Sequence, residues 1–417
     1  MNTIPKLKIN QIDLDETSNF RDIVLSNSYN QMRFFWNKPQ ELELAGIDYC
    51  FSSEYSSIKE FNDLAEYYRN IIKYNYDLLS DLNTPIIFIA NSFDMESKNI
   101  QSPWTKFPKG LIFIPENIYI NKNGLKKLIT INKNKNTSKE KKDDVYNNNI
   151  RKLKSETSKK TFSNMVTDSI KMINQKKISK IVLSREKKFE FDFNIQRQSD
   201  FLSKAQSKFP DCTTFLYDFK NKGIFFGVTP ETLFKSKQKL FYSEALAGTF
   251  QSDNAIKISD KSKELDEHNF VVKYIQKSIS NFSDNIGCSK KPYLIKLNSI
   301  THMKTEFKSK LKSGVDPFDI IHNLHPTPAI CGTPPDTAMS NIRRLETHQR
   351  GWYSGTLGWI DSEYNSHFIV SIRSGLSIDK NLYVYAGCGI TKNSNKDLEY
   401  HESEIKFNSI LSILNDE

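Results

Sequence analysis

The most informative part of this chain reads Tyr385-Ala386-Gly387-Cys388-Gly389-Ile390, then Glu399-Tyr400-His401-Glu402-Ser403-Glu404-Ile405-Lys406. It predicts an apolar strand, glycines just beyond it, and a helix that opens with carboxylates. Arg373 lies just upstream on another predicted strand, so its side chain has a fixed direction. Glycine lets a ligand approach the backbone closely, and a guanidinium binds a carboxylate through two parallel hydrogen bonds. This part of the chain therefore predicts a site that binds a small anion through a divalent metal.

Working outward, strands and long helices alternate along the chain. Residues 180–185 predict a buried strand, because they are rich in β-branched side chains and bounded by polar residues. Further strands are predicted at 86–90, 110–115, 213–218, 223–228 and 239–249, and helices at 58–76, 161–175, 260–282 and 397–414. Residues 367–378 and 381–385 predict a hairpin around Asp379-Lys380. Because the strand pairs resemble hairpins, we predict an α+β fold rather than a parallel α/β sheet.

Composition and length are those of a globular chain with a large core. The chain has 417 residues, of which 38% are hydrophobic and 12% aromatic. We expect one compact domain overall. Within it, residues 1–120 form the N-terminal part of the fold, 121–160 a basic low-complexity loop, and 161–417 the catalytic core.

The net charge of +10 is concentrated in one place. Residues 121–160 contain thirteen Lys and Arg against four Asp and Glu, a net of +9. This run is too polar to bury a core, so we interpret it as a solvated loop. A nucleic-acid-binding protein would instead need a basic face with interleaved aromatic residues. We therefore expect no nucleic-acid partner and keep that function as a remote alternative.

Neither a membrane segment nor a disulfide framework is indicated. No apolar run approaches the ~20 residues that span a bilayer, and the N-terminus lacks the apolar region of a secretory signal. The five cysteines are scattered, with no Cys-x-x-Cys pair. We expect a cytoplasmic protein without membrane or zinc binding, and a monomer.

Two predicted helices could hold a metal together. Glu264 and Glu267 are three residues apart on one helix, and Glu399 and Glu402 are three apart on another. Residues at this spacing share a helix face. If the two faces meet, four carboxylates surround one point, and oxygen ligands of this kind suit magnesium. Asp266 and Glu404 lie nearby and remain alternatives.

The motifs of the last third resemble the chorismate-utilising enzymes, and among these the isochorismate synthases. The resemblance rests on His325-Pro326-Thr327-Pro328, on Gly332-Thr333-Pro334 and on Arg350-Gly351-Trp352-Tyr353-Ser354-Gly355, and it covers residue 160 to the end. It implies one domain with two large, mainly antiparallel sheets packed together and helices outside, and residues 161–417 would bind chorismate. It also implies Mg²⁺ as cofactor, with Glu267 and Glu402 as direct ligands and Glu264 and Glu399 acting directly or through water.

The resemblance further implies how chorismate would become isochorismate. Water adds at C2 while the C4 hydroxyl departs, which requires a base and an acid. By its motif position Lys180 would be the base, provided that burial or nearby positive charge lowers its pKa. Glu231 follows Thr229-Pro230, which matches the family's Ser-Pro-Glu turn with threonine in place of serine. It would be the acid, which needs a raised pKa.

The same resemblance assigns the substrate contacts. Arg373 would bind the enolpyruvyl carboxylate, and Lys406 would neutralise a carboxylate near the metal. The remaining positions would approach the substrate through backbone or pocket wall: Gly248, Ala329, Ile330, Gly387 and Gly389. We interpret His302 and His325 as structural.

Two related activities are kept as alternatives, salicylate synthase and anthranilate synthase component I. Lys180 argues against the anthranilate type, where ammonia is the nucleophile, so no amidotransferase subunit is expected. Residues 325–328 argue against the salicylate type. Isochorismate feeds menaquinone, catechol siderophore and salicylate synthesis. These residues do not indicate which of the three pathways would use the product.

Overall fold

The computed structural model describes residues 4–82, 84–132, 150, 152–251, 262–289, 291–297 and 300–415. Most of its long helices begin at a residue whose side chain accepts a hydrogen bond from the first turn, such as Ser57, Ser158 and Asn395. Such caps satisfy backbone N–H groups that have no partner within the helix. The helices are α1 (Phe20–Ser26), α2 (Ile58–Tyr74), α3 (Tyr76–Leu79), α4 (Lys159–Asn174), α5 (Ile195–Lys208), α6 (Ser262–Ser280), α7 (Pro317–Leu324), α8 (Pro335–Leu345) and α9 (Lys396–Leu414).

The strands run through the whole described chain. They are β1 (Ile9–Asp13), β2 (Met32–Lys38), β3 (Leu42–Tyr55), β4 (Pro85–Asn91), β5 (Gly110–Lys122), β6 (Leu125–Ile131), β7 (Lys152–Glu156), β8 (Lys180–Glu190), β9 (Thr213–Phe219), β10 (Gly223–Thr229), β11 (Thr232–Lys237), β12 (Leu240–Gln251), β13 (Gly287–Cys288), β14 (Tyr293–Leu297), β15 (Ile300–Lys310), β16 (Gly332–Thr333), β17 (Thr356–Asp361), β18 (Ser366–Val370), β19 (Ser374–Ile378) and β20 (Asn381–Ile390).

These strands form one antiparallel network with two arms that join at β5. The first arm runs β1-β6-β5-β3-β2-β9-β10-β19-β20-β8, with β7 and β16 beyond β8. The second runs β5-β4-β17-β18-β11-β12-β15, with β13 and β14 on β15. The predicted α+β class is confirmed. The two predicted sheets correspond to the two arms, which the hydrogen bonds of β5 make continuous.

The two arms pack face to face around an aromatic core. The ring of Phe34 on β2 lies 4.7 Å from that of Phe88 on β4. On the same strand, Trp36 lies 5.5 Å from His367 on β18. β4 is buried along its whole length, which explains its unbroken apolar run. Truncating a fully buried phenylalanine such as Phe88 to alanine costs about 3–5 kcal/mol of stability.

Helices α6 and α9 lie outside this core, against β12 and β20. Buried Arg185 on β8 fixes α9, because its Nη1 group donates to Glu404 Oε1 at 2.6 Å and to Ser403 Oγ at 2.7 Å. Buried His268 fixes α6, with Nε2 2.7 Å from Thr305 Oγ1. The two helices that carry the predicted carboxylate pairs are therefore held at defined positions.

Some predictions of local structure need correction. Arg373 does not lie within a strand: it precedes β19 with φ 49°, a left-handed conformation that non-glycine residues rarely adopt. Gly387 and Gly389 lie inside β20, because their backbone continues the ladder with β8. The turn at Glu231 leads into strand β11, which the sequence did not reveal. The hairpin at Asp379-Lys380 is confirmed.

The predicted basic loop, residues 121–160, includes two strands. Strand β6 and strand β7 occupy its two ends, paired with β5 and β8. The central run at 133–149, together with 151, lies outside the described residues. No helix in the described part of the chain is long and apolar enough to cross a membrane.

Candidate active site

A partly enclosed cavity between β8, β12, β20 and α9 collects most of the predicted site residues. Its wall includes the predicted acid Glu231, the predicted ligand Glu267 and all seven predicted substrate positions: Gly248, Ala329, Ile330, Arg373, Gly387, Gly389 and Lys406. A larger cavity of about 650 Å³ lies beside Trp104 and Arg343. None of the predicted site residues lines that second cavity. We assign the site to the first, because buried charged groups converge there.

Lys180 lies just behind the cavity wall, at the start of β8. Its side chain is buried, and Nζ is 3.1 Å from Glu267 Oε1. Gly389 packs against both side chains. A Cβ atom at residue 389 would collide with Glu267 Oε1 and would come within 2.9 Å of Lys180 Cε. Only glycine therefore fits where β20 crosses this ion pair.

The pKa of Glu267 reflects its surroundings. Burial raises it, but the ammonium groups of Lys180, Lys263 and Lys406 outweigh burial and hold the pKa below its ordinary value. Glu267 is therefore a carboxylate at neutral pH, as a metal ligand must be.

Helix α9 supplies a second ion pair within one helical turn. Lys406 Nζ lies 2.7 Å from Glu402 Oε1 and donates to the Gly387 carbonyl at 2.8 Å. Burial lowers the pKa of Lys406, but neighbouring Glu402 and Glu267 raise it above its ordinary value. Lys406 is therefore a fixed positive charge in the cavity wall, suited to a carboxylate of an anionic ligand.

A third ion pair joins α6 to α9. Lys263 Nζ lies 2.5 Å from Glu399 Oε1. Burial lowers the pKa of Lys263, whereas Glu399, Glu402 and Glu267 raise it more strongly. One ammonium group thus faces carboxylates from both helices: Glu399 and Glu402 on α9 and Glu267 on α6.

These carboxylates form a donor set that fits a hard divalent cation. Glu399 Oε2 is buried and has no hydrogen-bond partner among the described residues. Atoms of Glu399, Glu402 and Cys388 lie within 4.8 Å of one another. Burial raises the pKa of Cys388 far above its usual value, and its Sγ donates to the Glu399 carbonyl at 3.2 Å. The thiol therefore packs as a neutral group, and the oxygens are the ligands that magnesium prefers.

Glu264 takes a different position. It lies in the first turn of α6, against Gly248, where a Cβ would be 2.7 Å from the Glu264 carbonyl oxygen. Gly248 has φ 77° at a bulge of β12, a conformation that glycine adopts without strain. Neither Glu264 nor Glu267 is part of the group of metal-ligating atoms that the described residues bring within 4.8 Å.

Glu231 is buried in the turn between β10 and β11. Its backbone N–H donates to Thr229 Oγ1 at 3.2 Å, and that hydroxyl donates to the Val370 carbonyl at 2.7 Å. The threonine thus supplies the hydroxyl that fixes this turn. Burial raises the pKa of Glu231 to about 8, with a contribution from nearby Glu244 and opposition from Lys180 and Lys406. Glu231 is therefore protonated at neutral pH and able to donate a proton.

Arg373 enters the cavity with a free donor. Its Nη2 group donates to His302 Nε2 at 3.0 Å, while buried Nη1 has no hydrogen-bond partner within the described ranges. Burial and the charges of Arg373 and Lys406 lower the pKa of His302 far below its usual value. A neutral histidine thus orients the guanidinium. A buried donor without a partner is costly, so a ligand carboxylate would stabilise it.

Sequence reasoning missed three features of this site. Lys263 immediately precedes the Glu-x-x-Glu pair and lies four residues before Glu267, so the helical spacing could have revealed it. His302 was interpreted as structural, yet it lines the cavity beside Arg373. Glu244 has no local signal, because its neighbours come from another strand.

Comparison with known proteins places the chain in a family. The family described as "Chorismate binding enzyme" matches residues 6–415. Isochorismate synthase MenF of Bacillus subtilis (strain 168) is 26% identical over 430 residues, covering 94% of this chain and 90% of that protein.

Two solved structures share the fold. MenF, the menaquinone-specific isochorismate synthase from Escherichia coli, matches with a TM-score of 0.79 and 19% identity, covering 99% of this chain and 95% of its own. Anthranilate synthase component I from Streptococcus pneumoniae TIGR4 matches with a TM-score of 0.67 and 18% identity, covering 90% and 93%. At these identities the likeness shows the fold alone. The family match spans nearly the whole chain, so this protein belongs to the chorismate-binding enzyme family and is an enzyme.

Proposed function

We propose that this enzyme is an isochorismate synthase, which converts chorismate reversibly to isochorismate. The observation that carries the proposal is that buried Glu231, with its raised pKa, lines the cavity, while buried Lys180 lies just behind the same wall. The relatives named isochorismate synthase support the same reading.

In the proposed reaction Lys180 takes a proton from water as the water oxygen bonds to C2 of the ring. The diene shifts, the C4–oxygen bond breaks, and Glu231 gives its proton to the departing hydroxyl, which leaves as water. One water is added and one is lost, so the reaction is an isomerisation. Acid–base groups of this kind typically contribute about 10²–10⁴-fold in rate.

Binding of the dicarboxylate substrate would use the fixed positive charges. Arg373 has a free donor for the enolpyruvyl carboxylate, and Lys406 would face the ring carboxylate. Ala329 and Ile330 would supply the apolar wall, and Gly248 would leave room beside the ring. We further propose that Glu267 and Glu402, with Glu399, hold Mg²⁺, which when bound would neutralise a substrate carboxylate. Glu264 would act through water.

The test is incubation of the purified protein with chorismate and magnesium, followed by chromatographic separation of products, with and without ammonium. We expect isochorismate in both cases, in equilibrium with chorismate, without an added subunit. Salicylate and pyruvate as main products would identify a salicylate synthase. Anthranilate on addition of ammonium would identify an anthranilate synthase. Either result would overturn the proposal.

A further inference from the structure

Glu244 is a buried carboxylate beside the proposed acid. It lies on β12, two residues before Leu246, and residues two apart on a strand face the same side. Leu246 lines the active-site cavity, so Glu244 lies one step beyond its wall. Glu244 Oε1 accepts a hydrogen bond from the Thr232 backbone N–H at 3.0 Å. This contact ties the carboxylate to the residue that directly follows Glu231.

Three donors converge on this carboxylate. Besides Thr232, the Tyr242 hydroxyl donates to Oε2 at 2.9 Å, and Lys304 Nζ lies 2.6 Å from the same oxygen. One of these donors is the ammonium group of Lys304, so Glu244 forms a buried ion pair. The three contacts together fix the position of its carboxyl group.

The side chains around Glu244 form a cluster with Tyr242, Lys304 and Glu306 that extends toward the surface. Glu306, half-buried on β15, lies directly opposite Glu244 in the strand register. It accepts from Tyr242 at 3.2 Å and from Tyr293 at 2.8 Å, and lies 3.7 Å from Lys304. Two like charges opposite each other on neighbouring strands are unfavourable. Lys304 lies between them and offsets part of this repulsion.

We propose that Glu244 is a positioning residue of this enzyme: its carboxylate, held by Lys304 and Tyr242, keeps the neighbouring Glu231 in the protonated form that a general acid requires. The proposal rests on the proposed function, in which Glu231 is the acid. Like charges that interact in a buried site cannot both ionise easily, and the charge of Glu244 is among the causes that raise the pKa of Glu231. A fixed negative charge at Glu244 therefore makes Glu231 retain its proton.

The other charges around the acid work in the opposite direction. Lys180 on β8 and Lys406 on α9 both favour ionised Glu231, and a bound metal would add to them. Burial is the largest contribution that raises the pKa of Glu231, and Glu244 adds to burial against these cations. On the far side of Glu244 the charged neighbours are Lys304, Glu306 and Lys38.

The experiment titrates the protonated carboxyl band of Glu231 by infrared difference spectroscopy on the full-length protein. The band is assigned by its loss in Glu231→Gln. In Glu244→Gln, which keeps an acceptor for Thr232, we expect the titration midpoint to fall by about 1 pH unit or more. The alkaline limb of kcat/KM should move to lower pH by the same amount. Glu306→Gln removes a charge from the same cluster but not beside Glu231, and should leave the midpoint unchanged.

An unchanged midpoint in Glu244→Gln would overturn the inference, as would an equal shift in Glu306→Gln. Glu244→Asp keeps the charge and should retain a midpoint near that of the wild type. If Glu244→Gln fails to fold because Lys304 loses its partner, the double variant Glu244→Gln/Lys304→Met leaves no unpaired charge and carries the same test. A shifted midpoint in an enzyme that does not form isochorismate would overturn the proposed function and leave the coupling of the two carboxyls intact.

Discussion

Lys180 Nζ lies 3.1 Å from Glu267 Oε1, which joins the proposed base on β8 to a proposed metal ligand on α6. The two roles are therefore coupled. A cation bound to Glu267 would offset the negative charge of this carboxylate next to the Lys180 ammonium group. It would also add a positive charge beside that group. Magnesium binding at Glu267 would therefore change the electrostatic surroundings of Lys180 directly.

Glu267→Gln and Glu402→Gln should each weaken magnesium binding and nearly abolish turnover. Each substitution removes an anionic oxygen from a site for a hard cation. Isothermal titration of the protein with magnesium measures the affinity directly. Asp266→Asn, on the exposed face of α6, is the matched control and should leave it unchanged. Wild-type magnesium dependence in either glutamine variant would show that the metal lies elsewhere.

Lys180→Ala and Glu231→Gln should bind chorismate and lose about 10²–10⁴-fold in kcat, with KM little changed. Because the pKa of Glu231 is raised to about 8, wild-type kcat/KM should fall above about pH 8, where the acid loses its proton. That alkaline limb should vanish in Glu231→Gln and remain in Lys180→Ala.

Lys188→Ala, on the same strand as Lys180 but outside the cavity, should keep the alkaline limb and the wild-type rate. If Lys180→Ala kept the wild-type kcat and lost only substrate affinity, the lysine would bind a carboxylate, and another group would activate the water.

Gly389→Ala should impair the site while the protein stays folded. The new Cβ would collide with Glu267 Oε1 and approach Lys180, so the ion pair must separate. We expect weaker magnesium binding by titration calorimetry together with a loss of kcat. Gly287→Ala is the control, because its Cβ would meet only the Lys308 carbonyl, at 3.3 Å. Unaltered magnesium affinity in Gly389→Ala would contradict the predicted arrangement.

Lys263→Met should tighten magnesium binding by roughly tenfold, or about 1.4 kcal/mol. The Lys263 ammonium holds Glu399 at 2.5 Å and competes with a cation for this carboxylate. Titration calorimetry without substrate is the measurement, so the result does not depend on catalysis. Lys159→Met removes a partner of Asp397 at the exposed start of α9 and should have no effect. Weaker binding in Lys263→Met would show that the lysine organises the site and does not compete for it.

Local patterns in the sequence determined much of this protein. Helical spacing identified α6 and α9 and the carboxylate pairs on one face of each. The β-branched run at 180–185 identified the start of β8, and the polar pair Asp379-Lys380 identified a hairpin. These features depend on backbone geometry and side-chain type within a few residues. The family resemblance then assigned catalytic, metal-binding and substrate-binding roles to individual residues. Nine of these residues line one cavity.

Only the tertiary structure decided how these elements meet. Lys263 faces Glu399 because α6 and α9 pack on the two arms that β5 joins, and Glu244 reaches the turn at Glu231 because β12 pairs with β11. Arg373 acquires its direction from a left-handed backbone between two strands, which propensity does not predict. The raised pKa of Glu231 likewise requires burial by residues far away in the chain. Charge–charge coupling and desolvation depend on distances in space, and no spacing along the sequence contains them.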